Sequence, residues 1–279
     1  MAFKDVLLTL TSYPKPAPVS VAEDAVSIAA ALGAHLTAIS CEVHVEVPGN
    51  FLARAIIDIP GIAAHETAKS RKNAKELLAA FEAAATKFGV PHETIFEKCA
   101  THRTAALLVG YARLRDLTIM PVPESYDLWC AEEIIFESGR PALIVPAPPR
   151  SGSFQLDTVG VAWDFSRTAA RAVSDALPLL EKAKKVRAVV VTNEKSFDSQ
   201  HSPEELTKNL ARHGIDVIVD EVDSEGRPIG EVLEAYVLSH GIDLLVMGAY
   251  GQSRWREVVL GGATRSLLSK PPIPVFFSH

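Results

Sequence analysis

The sequence predicts an α/β protein of two tandem domains, each a five-stranded parallel sheet with helices on both faces. Short apolar or β-branched runs alternate with longer helical stretches, which is the pattern of parallel strands joined by crossover helices. The same order of segments occurs twice within the 279 residues. A linker-like stretch, Pro146–Ser153, separates the two copies. We therefore expect one domain at residues 1–148 and a second at 154–279.

The repeat is visible in the residues that begin the strands. Asp5 aligns with Asp157, and Asp116 in Asp-Leu-Thr-Ile-Met aligns with Asp243 in Asp-Leu-Leu-Val-Met. A proline also precedes the last strand of each copy. Along the chain, the number of residues between a position in the first copy and its match in the second falls from 152 to 127 and then rises to 133. The first half should therefore carry an extra segment within 42–63, and the second half should carry extra residues after its fourth strand.

Each half is expected to contain five strands in the same order. The predicted strands are Val6–Leu10, Leu36–Ser40, Glu93–Glu97, Leu117–Met120 and Ala142–Val145, then Val159–Trp163, Val186–Thr192, Asp216–Val222, Leu244–Met247 and Pro274–Phe277. Apolar residues three and four positions apart predict helices at Val21–Leu32 and Thr67–Phe88. Ser202 and Pro203, followed by two glutamates, predict the start of another helix.

Composition excludes several classes of protein. The chain has 48% hydrophobic and 22% charged residues, which is typical of a globular protein. Its net charge of −6 argues against nucleic-acid partners and anionic membranes. Three cysteines are too few for a disulfide framework and indicate a reducing compartment. The longest uncharged run, Ala25–Cys41, contains Gly33 and His35 and does not resemble a membrane span. We expect a soluble cytoplasmic protein with no membrane or nucleic-acid partner.

A glycine-rich segment follows the fourth strand of the second half. Gly248, Gly251 and Gly261 have the spacing Gly-x2-Gly-x9-Gly, and the last of them opens a predicted helix. Glycines let backbone N–H groups approach phosphate oxygens, and a helix N-terminus favours negative charge. Ligands of open parallel sheets bind beyond the carboxyl ends of the strands, where Asp164 and Thr192 also lie. Taken alone, the glycines are equally compatible with shaping a turn.

This spacing, after a strand that ends Asp-Leu-Leu-Val-Met, resembles the universal stress protein family, whose ATP-binding members carry Gly-x2-Gly-x9-Gly-(Ser/Thr). Val161–Ser166 resembles the family's Val-Asp-Gly-Ser at the end of the first strand, and Pro274-Val275 resembles its last-strand Pro-Val. The resemblance covers both halves. It implies a tandem universal stress protein with Rossmann-like domains of the adenine nucleotide alpha hydrolase type. It also implies a stress-response protein that binds ATP or a related adenine nucleotide and senses or signals.

By this resemblance the nucleotide site lies in the second half. Asp164 would bind the ribose hydroxyls or the adenine end, and Thr192 would line the base. The glycines would cradle the phosphates, with Ala263 donating a backbone N–H. Arg254 would contact a phosphate, although a solvated loop cation is an equal interpretation. The predicted nucleotide-binding residues are Asp164, Thr192, Met247, Gly248, Gly251, Arg254, Gly261, Gly262 and Ala263.

Several positions depart from the family pattern. Gly262 stands where a phosphate-binding hydroxyl is expected, and Phe165 replaces the usual glycine. Ser12, Pro121 and Glu124 of the first half stand where the second half has Asp164, Gly248 and Gly251. Pro121 has no N–H to donate, and Glu124 would place a carboxylate where a phosphate should lie. We therefore do not expect the first half to bind ATP.

Two Cys-x2-His pairs distinguish the first half. Cys41 and His44 follow the predicted second strand, and Cys99 and His102 follow the third. These strands should be neighbours, so four nitrogen and sulfur ligands would converge on one edge and suit zinc. The alternative is two buried, inert cysteines and two surface histidines. The sequence thus raises the hypothesis of a zinc site held by Cys41, His44, Cys99 and His102.

Catalysis has no clear signal in the sequence. Common nucleophile, P-loop and zinc-protease motifs are absent, so we assign no catalytic residue and expect at most slow ATP hydrolysis. One alternative is a nucleotide hydrolase or transferase that uses the same pocket. Another is a ligand-binding or chaperone-like protein whose first half holds an apolar molecule, shielded by Phe51–Ala53 and Ala55–Ile57. We expect the last strands of the halves to pair in an intramolecular pseudo-dimer, with a further homodimer open.

Overall fold

The computed structural model of the chain describes residues 2–45, 58–122, 128–146, 154–193, 203–249 and 262–279. The first half contains β1 (Asp5–Leu10), α1 (Ser20–Leu32), β2 (His35–His44), α2 (Ile59–Phe88), β3 (His92–Ala100), α3 (Thr104–Ala112), β4 (Leu117–Pro121), α4 (Leu128–Glu137) and β5 (Ala142–Val145). The second contains β6 (Thr158–Ala162), α5 (Arg167–Leu180), β7 (Lys185–Thr192), α6 (Glu204–Ala211), β8 (Val217–Asp223), α7 (Ile229–Ser239), β9 (Leu244–Gly248), α8 (Gly262–Ser269) and β10 (Val275–Ser278).

The described strands form one ten-stranded sheet in the order β3-β2-β1-β4-β5-β10-β9-β6-β7-β8. Within each half all pairs are parallel, and both halves have the order third, second, first, fourth, fifth. The halves meet at the antiparallel pair β5–β10, where Phe276 lies opposite Leu143. The predicted α/β fold class and the pairing of the last strands are confirmed. This pairing joins the two five-stranded sheets into one and leaves neither inner edge strand exposed.

The core lies on both faces of this sheet. Successive residues of a strand point to opposite faces, so Leu8 packs in the cluster that contains residues of α1, α2 and α5, whereas Leu7 packs in the cluster of α3, α4, α7 and α8. In β10, Phe276 and Phe277 divide between the same two clusters and are fully buried. Strands buried on both faces explain the continuous apolar runs of the sequence.

A second contact joins the halves on the face covered by α1 and α5. Lys182, just beyond α5, donates from Nζ to the carbonyl oxygens of Ala31 and Leu32 at 2.9 and 3.1 Å. A cation at the C-terminus of α1 compensates the free carbonyls and the negative end of the helix dipole. The backbone N–H of Phe154 also donates to Ser27 Oγ at 2.7 Å. The halves are therefore connected by side chains as well as by the sheet.

Some predicted boundaries were wrong. β2 extends four residues beyond the predicted end at Ser40, and α2 begins at Ile59 rather than Thr67. Asp58 caps α2 by accepting from the N–H of Gly61 at 3.0 Å. With 30 residues, α2 is much longer than the eight-residue α6 that matches it in the second half, so the extra length is partly helical. Neither α2 nor any other described helix is long and apolar enough to cross a bilayer.

Candidate functional site

The second half has a crevice where its strand order reverses. The chain leaves β6 toward β7 on one side and later returns as β9 on the other, so the crevice opens between the carboxyl ends of β6 and β9. Ala162, the last residue of β6, lies opposite Met247 of β9. Asp164 follows β6, Gly248 ends β9 and Thr192 ends the adjacent β7. The structure thus brings these predicted residues to one edge of the sheet.

The loop after β6 is held by side-chain hydrogen bonds. Asp164 Oδ1 accepts from the N–H of Ser166 at 3.0 Å. Ser166 Oγ in turn accepts from the N–H of Ala169 at 3.0 Å, which makes it the N-cap of α5. Its oxygen also lies 3.1 Å from Thr168 Oγ1. Sequence reasoning overlooked Ser166, although a serine before an apolar helical pattern is a recognisable capping signal.

Gly248 is explained by packing. A Cβ at this position would lie 2.5 Å from the Thr168 carbonyl carbon and from the Ala169 nitrogen. Both atoms belong to the backbone of the first turn of α5, which cannot move away cheaply. Glycine is therefore needed so that the end of β9 can approach this turn. A phosphate contact is not required to account for the residue.

The first turn of α8 faces the same edge of the sheet. Because β9 and β10 are parallel, the helix between them begins at the carboxyl end of β9. Gly262 opens α8, and a Cβ there would meet no described atom within 4 Å. The next residue, Ala263, lies against α7, where a Cβ on Gly230 would come within 3.6 Å of its Cα. The N-terminus of a helix offers backbone N–H groups to anions. The predicted phosphate residues Gly251, Arg254 and Gly261 lie outside the described residues.

Comparison with known proteins identifies this half of the chain. Residues 155–279 match the model of the universal stress protein family. This second half of the chain is therefore similar to universal stress proteins. A universal stress protein from Archaeoglobus fulgidus is 19% identical over 99% of this chain and 97% of its own, with a TM-score of 0.74. A putative universal stress protein from Pseudomonas aeruginosa is 12% identical over 99% and 93%, with a TM-score of 0.58.

These likenesses to solved structures show the fold over the full length of the chain, including the half that the family model does not match. A functionally unknown protein from Pseudomonas aeruginosa shares the fold as well, at 10% identity over 98% of this chain and 92% of its own, with a TM-score of 0.55. No curated protein matches the chain. The fold of these proteins thus extends over both halves of the chain.

An aromatic pair lies at the edge of the universal stress protein domain. Phe165 has a φ of 59°, in the left-handed region that glycine adopts most easily. This φ gives a physical reason for a glycine at the position and shows that Phe165 occupies it under strain. Its ring meets Trp163 edge-on, with centroids 5.7 Å apart. Trp163 Nε1 is buried and has no hydrogen-bond partner among the described residues. The sequence analysis had not assigned Trp163 a role.

The first half has a cavity at the equivalent position, between the carboxyl ends of β1 and β4. Its volume is about 390 Å³, and apolar side chains such as Leu108, Met120 and Trp129 dominate its lining. Ser12, which replaces the site aspartate, is buried and donates its hydroxyl to the carbonyl of Cys41. Glu124 and the predicted shield at 51–57 lie outside the described residues. The sequence had suggested an apolar ligand for this half but had not located the cavity.

The predicted zinc site is wrong. Within the part of the chain that the structure describes, which includes all four predicted ligands, no group of three or more His, Cys, Asp or Glu side chains could hold a metal. β2 continues through His44, so Cys41 and His44 lie three residues apart on one strand and point to opposite faces. His102 lies in an exposed 3₁₀ turn after β3. Only Cys41 and Cys99 come together.

Proposed function

We propose that the C-terminal half binds ATP or a related adenine nucleotide, and that the protein acts in a stress response by sensing or signalling. The supporting observation is that Asp164 and the first turn of α8 lie at the same reversal point of the sheet. One supplies a carboxylate and the other supplies backbone N–H donors. We further propose domain boundaries at 1–148 and 154–279 and a cytoplasmic location.

The two sides of the crevice suit different parts of a nucleotide: Asp164 suits the nucleoside, and the N-terminus of α8 suits the phosphates. The carboxylate of Asp164 can accept hydrogen bonds from the ribose hydroxyls or from the adenine amino group. The α8 N-terminus, with Gly262 and Ala263, offers N–H groups and a positive dipole end to the phosphates. In this proposal Gly251, Gly261 and Arg254 complete the phosphate side. Thr192 and Met247 border the base and the crevice.

Asp164→Asn tests the ribose or adenine contact. A hydrogen bond to a charged group is worth about 1.5–3 kcal/mol, so the substitution should raise the Kd for ATP about 10- to 150-fold. Isothermal titration calorimetry on the full chain measures this change. The matched control is Asp157→Asn, which removes the same charge at the opposite end of β6. It should leave the Kd within about twofold.

Other results would contradict the proposal. Failure of the wild-type chain to bind any adenine nucleotide at millimolar concentration would exclude it. An equal loss of ATP affinity in the two aspartate variants would show that the net charge of the protein, and not the carboxylate of Asp164, controls binding. Gly251→Glu should abolish binding, since a carboxylate would meet the phosphates. Phosphate release by the wild type at many turnovers per minute would favour the alternative of a nucleotide hydrolase.

A specific observation also favours an apolar ligand for the first half, namely the cavity of about 390 Å³. Its volume lies within the range of small-molecule sites. Two of its hydroxyls bond within the protein: Ser40 Oγ donates to the carbonyl of Leu10 at 2.7 Å, and Ser12 bonds to Cys41 and lies 2.8 Å from Ser70 Oγ. Because most of the lining is apolar, the cavity suits an uncharged, largely apolar molecule.

Leu108→Trp tests this second function by filling the cavity. The uncharged probe N-phenyl-1-naphthylamine should become fluorescent with the wild type and lose most of that signal with the variant. Leu114→Trp is the matched control, because Leu114 follows the same helix and is 71% exposed. An equal signal from both variants would place the probe elsewhere. Absence of any signal from the wild type would argue against an apolar site.

A further inference from the structure

Two cysteines that are distant in sequence meet on one face of the sheet. Cys41 of β2 lies opposite Glu97 of β3, and Val43 lies opposite Cys99. Residues two apart on a strand share a face, so both thiols point to the side covered by α3 and α4. Each thiol lies close enough to shift the pKa of the other. The metal hypothesis therefore correctly paired these cysteines but assigned them the wrong chemistry.

The two sulfurs have unequal surroundings. Cys41 is buried, whereas Cys99 is partly exposed at the end of an edge strand. Thr104, the first residue of α3, places its Oγ1 3.4 Å from Cys99 Sγ. The sulfur of Cys99 therefore lies beside a helix N-terminus, which favours a thiolate.

The charges around the pair favour ionisation of Cys99 alone. Hydrogen bonds from Cys41 and Thr104 lower the pKa of Cys99 to about 6, against opposing effects of burial and of Glu97. Donation to Cys99, burial, and the neighbouring Glu97 and Cys130 raise the pKa of Cys41. Tyr111 moderates Glu97 by donating its hydroxyl to Oε1 at 2.6 Å. These effects favour a thiolate at the partly exposed Cys99 and a protonated thiol at the buried Cys41.

We propose that Cys99 and Cys41 form a hydroperoxide-reactive pair that closes reversibly to a disulfide. The Cys99 thiolate attacks the terminal oxygen of the hydroperoxide, the O–O bond breaks, and the alkoxide or hydroxide leaves and takes a proton from water. Cys99 becomes a sulfenic acid. The Cys41 sulfur then attacks the sulfur of Cys99, the S–O bond breaks, and the leaving hydroxide combines with the Cys41 proton as water. Two thiols are oxidised and one hydroperoxide is reduced to an alcohol or to water.

The position of the pair makes the disulfide reversible. The cysteines are two residues out of register on neighbouring strands, so their Cα atoms lie about 8 Å apart. This exceeds the span of an unstrained disulfide, and the backbone must move for the S–S bond to form. β3 is an edge strand followed by an exposed turn, so its end can shift to allow this. A disulfide formed under such constraint is reduced easily. Because Cys41 and Thr104 line the cavity of the first half, oxidation also changes that cavity's wall.

Peroxide treatment of the full chain, followed by mass spectrometry, tests the proposal. The wild type should lose the mass of two hydrogens, carry a Cys41–Cys99 link within one chain, and recover with dithiothreitol. Cys41→Ser should stop at a sulfenic acid on Cys99 that dimedone traps, and Cys99→Ser should form no such link. Cys130→Ser is the matched control and should behave as the wild type. Circular dichroism before and after treatment shows that each variant is folded.

Alkylation by iodoacetamide at pH 6 gives an independent measure. Relative to a peptide thiol with a pKa of about 8.5, the ionised fraction of Cys99 is about 160-fold higher, and its lower basicity offsets about 13-fold of this. Cys99 should therefore react about tenfold faster than the peptide. Alkylation no faster than the peptide's would overturn the proposal. So would a disulfide through Cys130, a link between two chains, or no disulfide in folded protein.

Discussion

Gly248→Ala is expected to destabilise the fold, because of packing rather than ligand binding. The added Cβ would lie 2.5 Å from two backbone atoms of the first turn of α5, at Thr168 and Ala169, and 2.7 Å from Thr168 Oγ1. Overpacking costs about 1–3 kcal/mol when side chains can adjust. Because the backbone has to move here, the free energy of unfolding should fall by about 3 kcal/mol, near the upper end of this range. With an m-value of about 3 kcal/mol/M, the urea midpoint should fall by about 1 M.

Gly262→Ala is the matched control for this prediction. Gly262 was also predicted to bind phosphate, but a Cβ there would meet no described atom within 4 Å, and the residue opens α8. Alanine is favoured over glycine in helices by about 0.5–1 kcal/mol. The control should therefore be neutral or slightly stabilising. Urea unfolding of both variants without nucleotide, followed by circular dichroism, makes the comparison. Equal stabilities of the two variants would refute the packing argument.

Two further predictions concern ionised side chains. Burial raises the pKa of Asp24 to about 6, above its value of about 3.9 in the unfolded chain. The protonated carboxyl is therefore favoured in the folded state. Its contribution to the free energy of unfolding is present at pH 4 and is lost as the pH rises through 6. Asp24→Asn should therefore raise the free energy of unfolding by about 1.5 kcal/mol at pH 7.5, after allowance for solvent screening, and by much less at pH 4.5. An equal gain in stability at the two pH values would contradict the raised pKa of Asp24. Asp220 accepts from Arg187 Nε and Nη2 at 3.0 Å each and from the Tyr236 hydroxyl, so Asp220→Asn should cost about 2–3 kcal/mol in urea unfolding. Glu221→Gln, at the exposed neighbouring residue, should cost less than about 0.5 kcal/mol. A similar loss of stability in both variants would show that the partly buried network around Asp220 contributes nothing.

Much of the fold could be predicted because its signals are local. The strands of both halves appear as short apolar runs, since β1 and β10 bury both of their faces. The alternation of these runs with helical stretches then predicted parallel pairing within each half, because crossover helices join parallel strands. The crevice residues Asp164 and Gly248 followed from the rule that ligands bind beyond the carboxyl ends of the strands.

The wrong predictions arose where strand length and side-chain direction decide the outcome. The apolar run of β2 does not show that the strand continues from Ser40 to His44. That extension fixes which face each side chain meets, and it separates Cys41 from His44. A period of two residues means that an error of a few residues in a strand end changes the predicted partners completely. The zinc hypothesis failed for this reason.

The amino-acid sequence alone determined that this chain is a tandem α/β protein and that its two halves carry different residues, Ser12 and Asp164, after their first strands. Asp164 has a carboxylate and Ser12 a hydroxyl, and this difference is independent of how the chain folds. Only the tertiary structure decided that the first turn of α5 requires Gly248, that Cys41 and Cys99 lie on the same face of the sheet, and that the first half has a cavity. These features depend on distances between elements far apart in the chain, which arise only when both faces of the sheet are covered.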